Sequence, residues 1–192
     1  MVQSNSFFYS LAQVGNAVGK GILSGLAGTV AITLSQMIEM QLTKRGNSEA
    51  PAITGGKALG VEPRGQAELE KQDDAPPSKK KELQQDLEEN KDRFTQIMHF
   101  SYGTSWGMAR SALDLIGVQG SAATLIHFGA LWGTALVMLP ATKASPPITE
   151  WSPKQIGTDI VHHAVYALAA GACYDAMTEA ERSHRGWSLF TR

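Results

Sequence analysis

One cysteine, Cys173, occurs in 192 residues. That excludes an intrachain disulfide and every CxxC metal or redox motif. Cys173 lies in an apolar run, where a small buried thiol is the expected role. Charge is scarce in four places: no Asp, Glu, Lys or Arg falls between Lys20 and Glu39, from Phe94 to Ala109, from Leu115 to Thr142, or between Asp159 and Asp175. No basic residue precedes Lys20. The positive start of a cleaved signal peptide is therefore missing, and the first apolar segment is expected to stay in the mature chain. A net charge of -1 gives no global attraction to nucleic acid. The stretches "ITGGKALG" and "GVEPRGQ" lack the Lys-Ser/Thr of a phosphate loop, and no HExxH stands anywhere. No Ser/His/Asp or Cys/His catalytic spacing is recognisable, so no enzymatic activity and no catalytic or metal residues are expected.

What is present divides sharply. The mean hydropathy of -0.15 averages two unlike parts. Residues 46–93 hold 11 of the 18 acids and 8 of the 17 bases, and no Phe, Tyr, Trp, Met or Cys. Four regions follow: an N-terminal segment with a first apolar helix over 1–45, a polar insert over 46–93, three further apolar segments over 94–177, and a polar tail over 178–192. Within the insert, the Gly- and Pro-rich half "GNSEAPAITGGKALGVEPRGQ" reads as an extended loop. Its second half, Lys79 to Arg93, has helix-forming residues that lead into the next apolar segment, with Ser78 placed to cap it.

A helix that crosses a bilayer needs about 20 mostly apolar residues. Four segments approach that: Gly21–Leu42, Phe94–Gly117, Leu115–Thr142 and Gln155–Met177. Buried helices of a soluble bundle would instead show a charged face every three or four residues, and the first and third segments have none. The expected fold is all-α, a four-helix transmembrane bundle. Small residues four apart support close helix packing, since they stack on one face and let two backbones approach. These are Gly15 with Gly19, Gly21 with Gly25, Gly103 with Gly107, Gly129 with Gly133, and Ala167 with Gly171. An internal echo strengthens the reading: His99-x2-Tyr102-Gly103-x3-Gly107 reappears as His163-x2-Tyr166-Ala167-x3-Gly171, and Gly28-Thr29 as Gly133-Thr134. Two tandem helical hairpins related by an axis along the membrane normal would produce it. Chance recurrence of common small residues is the alternative. Lys and Arg are denser beside the insert and the 143–154 loop than beside the termini, which places the insert in the cytoplasm.

The run "HFSYGTSWGMARSALDLIG", then "HFGALWGTALVMLPATKASPP" and "HHAVYALAAGACYD", resembles the uncharacterised bacterial inner-membrane family typified by YagU. The resemblance covers the apolar segments and not the long insert. It implies a multi-pass helical protein of the inner (cytoplasmic) membrane and brings no catalytic residues. The insert and the polar end of the second segment, Arg110 to Asp114, depart from the family pattern.

Ionisable groups inside a membrane are costly and are functional candidates by default. His99, His127, His162 and His163 all lie in apolar segments. Paired imidazoles from two helices are the ligand set of a membrane b-type haem, so His99 and His163 are the candidate cofactor-binding pair; with Glu39 they would suit a metal instead. The plainer reading is that each histidine hydrogen-bonds a neighbouring helix. Adjacent helical residues point about 100° apart, so His162 and His163 do not serve one site. Arg110 and Asp114, four apart, are expected to pair with each other near the turn at 117–120. Three functions fit these residues: a structural or accessory membrane subunit that packs on itself or on other subunits, a haem-binding electron carrier, and a small transporter or channel with His127, Arg110 and Asp114 on its pathway.

Overall fold

The computed structural model describes residues 2–71 and 76–190, and contains helices and connecting turns with no strand among them. Helix α1 spans Val2–Thr43, α2 Ala50–Leu59, α3 Gln66–Lys71, α4 Pro77–Leu115, α5 Gly120–Ala141 and α6 Pro153–Phe190; a single 3-10 turn covers Ile148–Glu150. Residues 72–75 of the polar insert and 191–192 of the tail lie outside the described residues.

Local chemistry sets these boundaries. α4 stops because Gly117 takes φ 86, and the Val118 N–H turns back to the Leu113 carbonyl at 2.8 Å, the left-handed ending that glycine favours. Pro140 sits in the last turn of α5, and the chain leaves the helix through Lys143 at φ 58. α6 begins with a reciprocal cap: Gln155 N–H donates to Ser152 Oγ at 3.3 Å, and Ser152 N–H donates to Gln155 Oε1 at 2.8 Å. Pro153 occupies its first position, where a missing N–H costs nothing.

The chain forms two compact units. The second comprises residues 46–102 and 135–151. Here the structure corrects the loop expected over the first half of the insert, because Ala50–Leu59 is a helix. Pro51 stands in its first turn, and Gly60 at φ 66 ends it. Its two mid-helix glycines do not break it, because both are used for contact. A Cβ on Gly55 would come within 2.7 Å of Met98, and one on Gly56 within 2.8 Å of the Val61 carbonyl. Thr54 and Thr142 share a hydroxyl contact of 3.1 Å, and Lys57 donates to the Thr142 carbonyl. The helix entered at Pro77 continues without a break to Leu115.

The first unit comprises residues 1–45, 103–134 and 152–192. α1 runs antiparallel to α4: Gly21 and Gly25 face Gly107, and Thr29 faces Gly103. It also runs antiparallel to α6, since Lys20 meets Glu181 while Ser35 meets His162. Thr124 meets Gly171, His127 meets Tyr166 and Trp132 meets Asp159, so α5 is antiparallel to α6 and, since α4 and α6 both oppose α1, to α4 as well. The result is an up-down-up-down bundle with α4 and α6 parallel, the arrangement two tandem hairpins generate. Its apolar core is small: Ile32, Leu131, Tyr166 and Ala170, with Trp106 against them.

Burial in this unit mixes polar with apolar side chains. Ser24, Thr29, Arg110, Ser111, His127 and His162 are buried. Leu23, Leu26, Val30, Leu34, Leu125, Ile126, Val161 and Leu168 are exposed. The inward hydroxyls are satisfied by their own helix: Ser24 Oγ donates to the Gly21 carbonyl at 2.9 Å and Thr29 Oγ1 to the Gly25 carbonyl at 2.7 Å. Among the described residues two stretches are long and apolar enough to cross a membrane, Ser10–Thr43 of α1 and Gly120–Ala141 of α5. Of the four expected spans these two meet the measure. α4 falls short because its first half is the charged end of the insert and Arg110 and Asp114 close its apolar run. Asp159 and Asp175 bracket that of α6.

Candidate functional site: a buried polar cluster in the helix bundle

Close backbone contact creates the site. α1 and α4 touch where Gly21, Gly25 and Gly107 meet, and a Cβ on Gly107 would overlap the Gly21 carbonyl oxygen and lie 2.7 Å from the Gly25 Cα. Gly21, Gly25, Gly103 and Gly107 are therefore helix-packing residues within the chain. Gly171 of α6 is another, closed by Thr124 of α5, and Ala167 is buried. Gly129 and Gly133 of α5 differ, as do Gly15 and Gly19 of α1: nothing lies within 4 Å of a Cβ built on any of them.

Just below the glycine crossing, the α4 side chains become polar. Ser111 Oγ donates to the Ala17 carbonyl of α1 at 2.7 Å. Arg110 is 0 % exposed and pairs with Asp175 of α6, whose side chain is 43 % exposed. This replaces the expected Arg110–Asp114 pair. Residues four apart can meet along one helix, but here Arg110 crosses to the parallel helix instead. Asp114 accepts from the Tyr174 hydroxyl at 3.0 Å and from Gln119 Nε2 at 2.7 Å. Gln119 Oε1 in turn accepts from Arg182 at 3.0 Å.

Tyr174 is the hub. Its ring is wholly buried, with the Arg110 guanidinium 4.5 Å and the Lys20 ammonium 5.3 Å from its centroid. Both contacts are cation–π in kind. Lys20 also donates to Thr178 and to Glu181, each at 3.2 Å, and Asn16 donates to Glu181 at 3.0 Å. Three cations (Lys20, Arg110, Arg182) thus face three acids (Asp114, Asp175, Glu181), all toward the same end of the bundle. Replacing Tyr174 by Phe keeps the ring contacts and removes the hydroxyl with its donation to Asp114 and its contact with Ser111. The expected loss is about 1 kcal/mol, checked by a thermal melt.

The histidines lie elsewhere and apart. His127 of α5 is 1 % exposed, with its ring 6.2 Å from Trp106 and 5.8 Å edge-on from Tyr166. His162 Nδ1 shares a 2.8 Å hydrogen bond with Ser35 Oγ of α1. His163 Nδ1 lies 2.9 Å from the Asp159 carbonyl one turn back and 3.4 Å from its carboxylate, which also accepts from Trp132 Nε1 at 2.8 Å. The divergence of His162 and His163 is what a helix imposes on neighbours. His99, edge-on to Phe100 at 5.8 Å, belongs to the second unit and His163 to the first, so the two are not described as one ligand pair. Glu39 is engaged by Arg45 at 2.9 Å and by Thr43 at 2.9 Å. Among the described residues no three His, Cys, Asp or Glu side chains converge as a metal cluster.

Sequence reasoning missed Tyr174, Asp175 and the Lys20–Glu181 contact. A usable signal existed. Carrying the His99-to-His163 offset forward from Ser111 lands on Asp175, next to the level of Arg110 on the parallel helix. Compared with known proteins, the chain matches no family model, no curated protein and no solved structure.

Proposed function

We propose that this chain is a multi-pass membrane protein acting as a structural or accessory subunit, through helix packing with itself or with other membrane subunits. The apolar parts of α4 and α6 complete four crossings alongside α1 and α5. The carrying observation is the apolar outer surface of the first unit and the polar groups buried within it. Large apolar side chains such as Leu125 at 69 % and Leu168 at 63 % face outward, while arginine, histidine and serine face inward. In water that arrangement exposes what the hydrophobic effect would bury; in lipid it is the stable one. The resemblance to the YagU-type family favours the bacterial inner membrane as the location.

Gly129 and Gly133 of α5 support the packing role. The pairs Gly21/Gly25 and Gly103/Gly107 are consumed inside the chain, whereas this one, like Gly15/Gly19 of α1, is open, and it lies beside exposed Leu125, Ile126 and Val137. A flat strip between large side chains suits a second helix that approaches closely. Gly129→Leu and Gly133→Leu are expected to leave the monomer's melting temperature unchanged and to lower the assembly mass on native electrophoresis of solubilised membranes. An unchanged assembly with both substitutions would overturn the packing role.

A further inference from the structure

A groove of about 490 Å³ opens between α1 and α6 of the first unit. Its walls carry one charge of each sign, Lys20 of α1 and Glu181 of α6, 3.2 Å apart, and Asn16 donates to the same carboxylate at 3.0 Å. Glu181 stays within reach from outside, its side chain 31 % exposed. Gly15 and Gly19 form the floor, and nothing lies within 4 Å of a Cβ built on either. A bulky group can therefore rest on the α1 backbone there. Leu23 and Met177, each one turn from the charged pair, line the far end. The groove is polar at one end and apolar at the other.

Its depth follows from α5. Arg182, next to Glu181, donates to Gln119 at 3.0 Å, and Gln119 directly precedes the first residue of α5. The charged end is thus level with the start of that apolar helix. From Lys20 toward Leu23, α1 enters its charge-free run. On the membrane-crossing reading, on which this inference rests, the charged end stands at headgroup level and the apolar end in the hydrocarbon. A close cation and anion have no net charge, so a zwitterion of opposite polarity complements them where an anion meets repulsion from Glu181. We propose that this groove binds one phospholipid with a zwitterionic, primary-amine headgroup. The lipid phosphate accepts from Lys20, which has one N–H beyond those given to Thr178 and Glu181. The lipid ammonium donates to Glu181, and an acyl chain leaves over Leu23 and Met177.

The test follows the melting temperature of the full-length, delipidated protein in detergent as lipid is added. Three lipids with the same acyl chains are compared: phosphatidylethanolamine, phosphatidylcholine and phosphatidylglycerol. Phosphatidylethanolamine is expected to give a saturable rise, half-complete at a concentration about tenfold below that for either of the others. Phosphatidylcholine lacks the N–H donors for Glu181, and phosphatidylglycerol brings a negative charge without a positive one. Glu181→Gln should erase the preference. Gly19→Phe, which fills the floor of the groove, should abolish the saturable rise and leave the lipid-free melt near that of wild type. No saturable rise, equal responses to the three lipids, or tighter binding of phosphatidylglycerol would overturn the proposal, as would an undiminished response in Gly19→Phe. The wild-type comparison decides even where a variant fails to fold. Assembly mass and the lipid exposure of the outer surface are measured separately, so failure of the lipid site is distinguishable from failure of the membrane-subunit reading.

Discussion

Gly107→Ala is expected to unfold the first unit. The added methyl would overlap the Gly21 carbonyl and press on the Gly25 backbone, and backbone atoms of a packed helix have no rotamer by which to yield. Overpacking a tight interior costs about 1–3 kcal/mol and more where nothing can move; the upper end applies here, because both partners at the crossing are main chain. Losing that crossing would also separate Ser111 from the Ala17 carbonyl and draw Arg110 away from α6. The measurement is a melt, or the rate of tryptic cleavage, in detergent. Gly129→Ala is the control, expected within about 0.5 kcal/mol of wild type because its surroundings are open.

Asp175→Asn carries the second large effect. The substitution leaves the buried Arg110 cation with no compensating charge. Breaking one side of a buried ion pair costs about 3–5 kcal/mol, and the half-exposed carboxylate places this pair toward the lower figure. Removing both charges together, Arg110→Met with Asp175→Leu, should recover most of the loss, since two apolar side chains of similar volume satisfy a helix interface without a charge to compensate. A double variant no more stable than Asp175→Asn would mean that the pair contributes something other than charge compensation.

Much of the fold was readable before any coordinates. Long charge-free runs mark α1 and α5 as long apolar helices, and Gly21, Gly25, Gly103 and Gly107 mark faces that allow close approach, although spacing alone does not say that α1 and α4 are the helices that meet there. The parallel α4 and α6 follow from the His-Tyr-Gly echo. Less was readable of the second unit. Ala50–Leu59 contains two glycines and a proline, and local propensity argues against a helix there; tertiary contacts with Met98 and Val61 reverse that preference. The polar cluster was half legible. Arg110 stood out as an ion in an apolar segment, but its partner did not, because spacing along one helix favoured Asp114 while the true neighbour lies on a helix far along the chain. Gly129 and Gly133 carry the same spacing as the internal pairs. Spacing says which side of a helix is flat and never whether that side is occupied.

The central claim is that the outer surface of the first unit faces lipid while Arg110, His127 and Ser24 are held inside it. Spin labels at Leu26, Leu125 and Leu168, each introduced with Cys173 replaced by serine and the protein reconstituted in bilayers, test it most directly. The expected result is fast relaxation by oxygen, which concentrates in the hydrocarbon, and little by a water-soluble nickel chelate at all three sites. Strong nickel access at these positions would contradict a lipid-facing bundle.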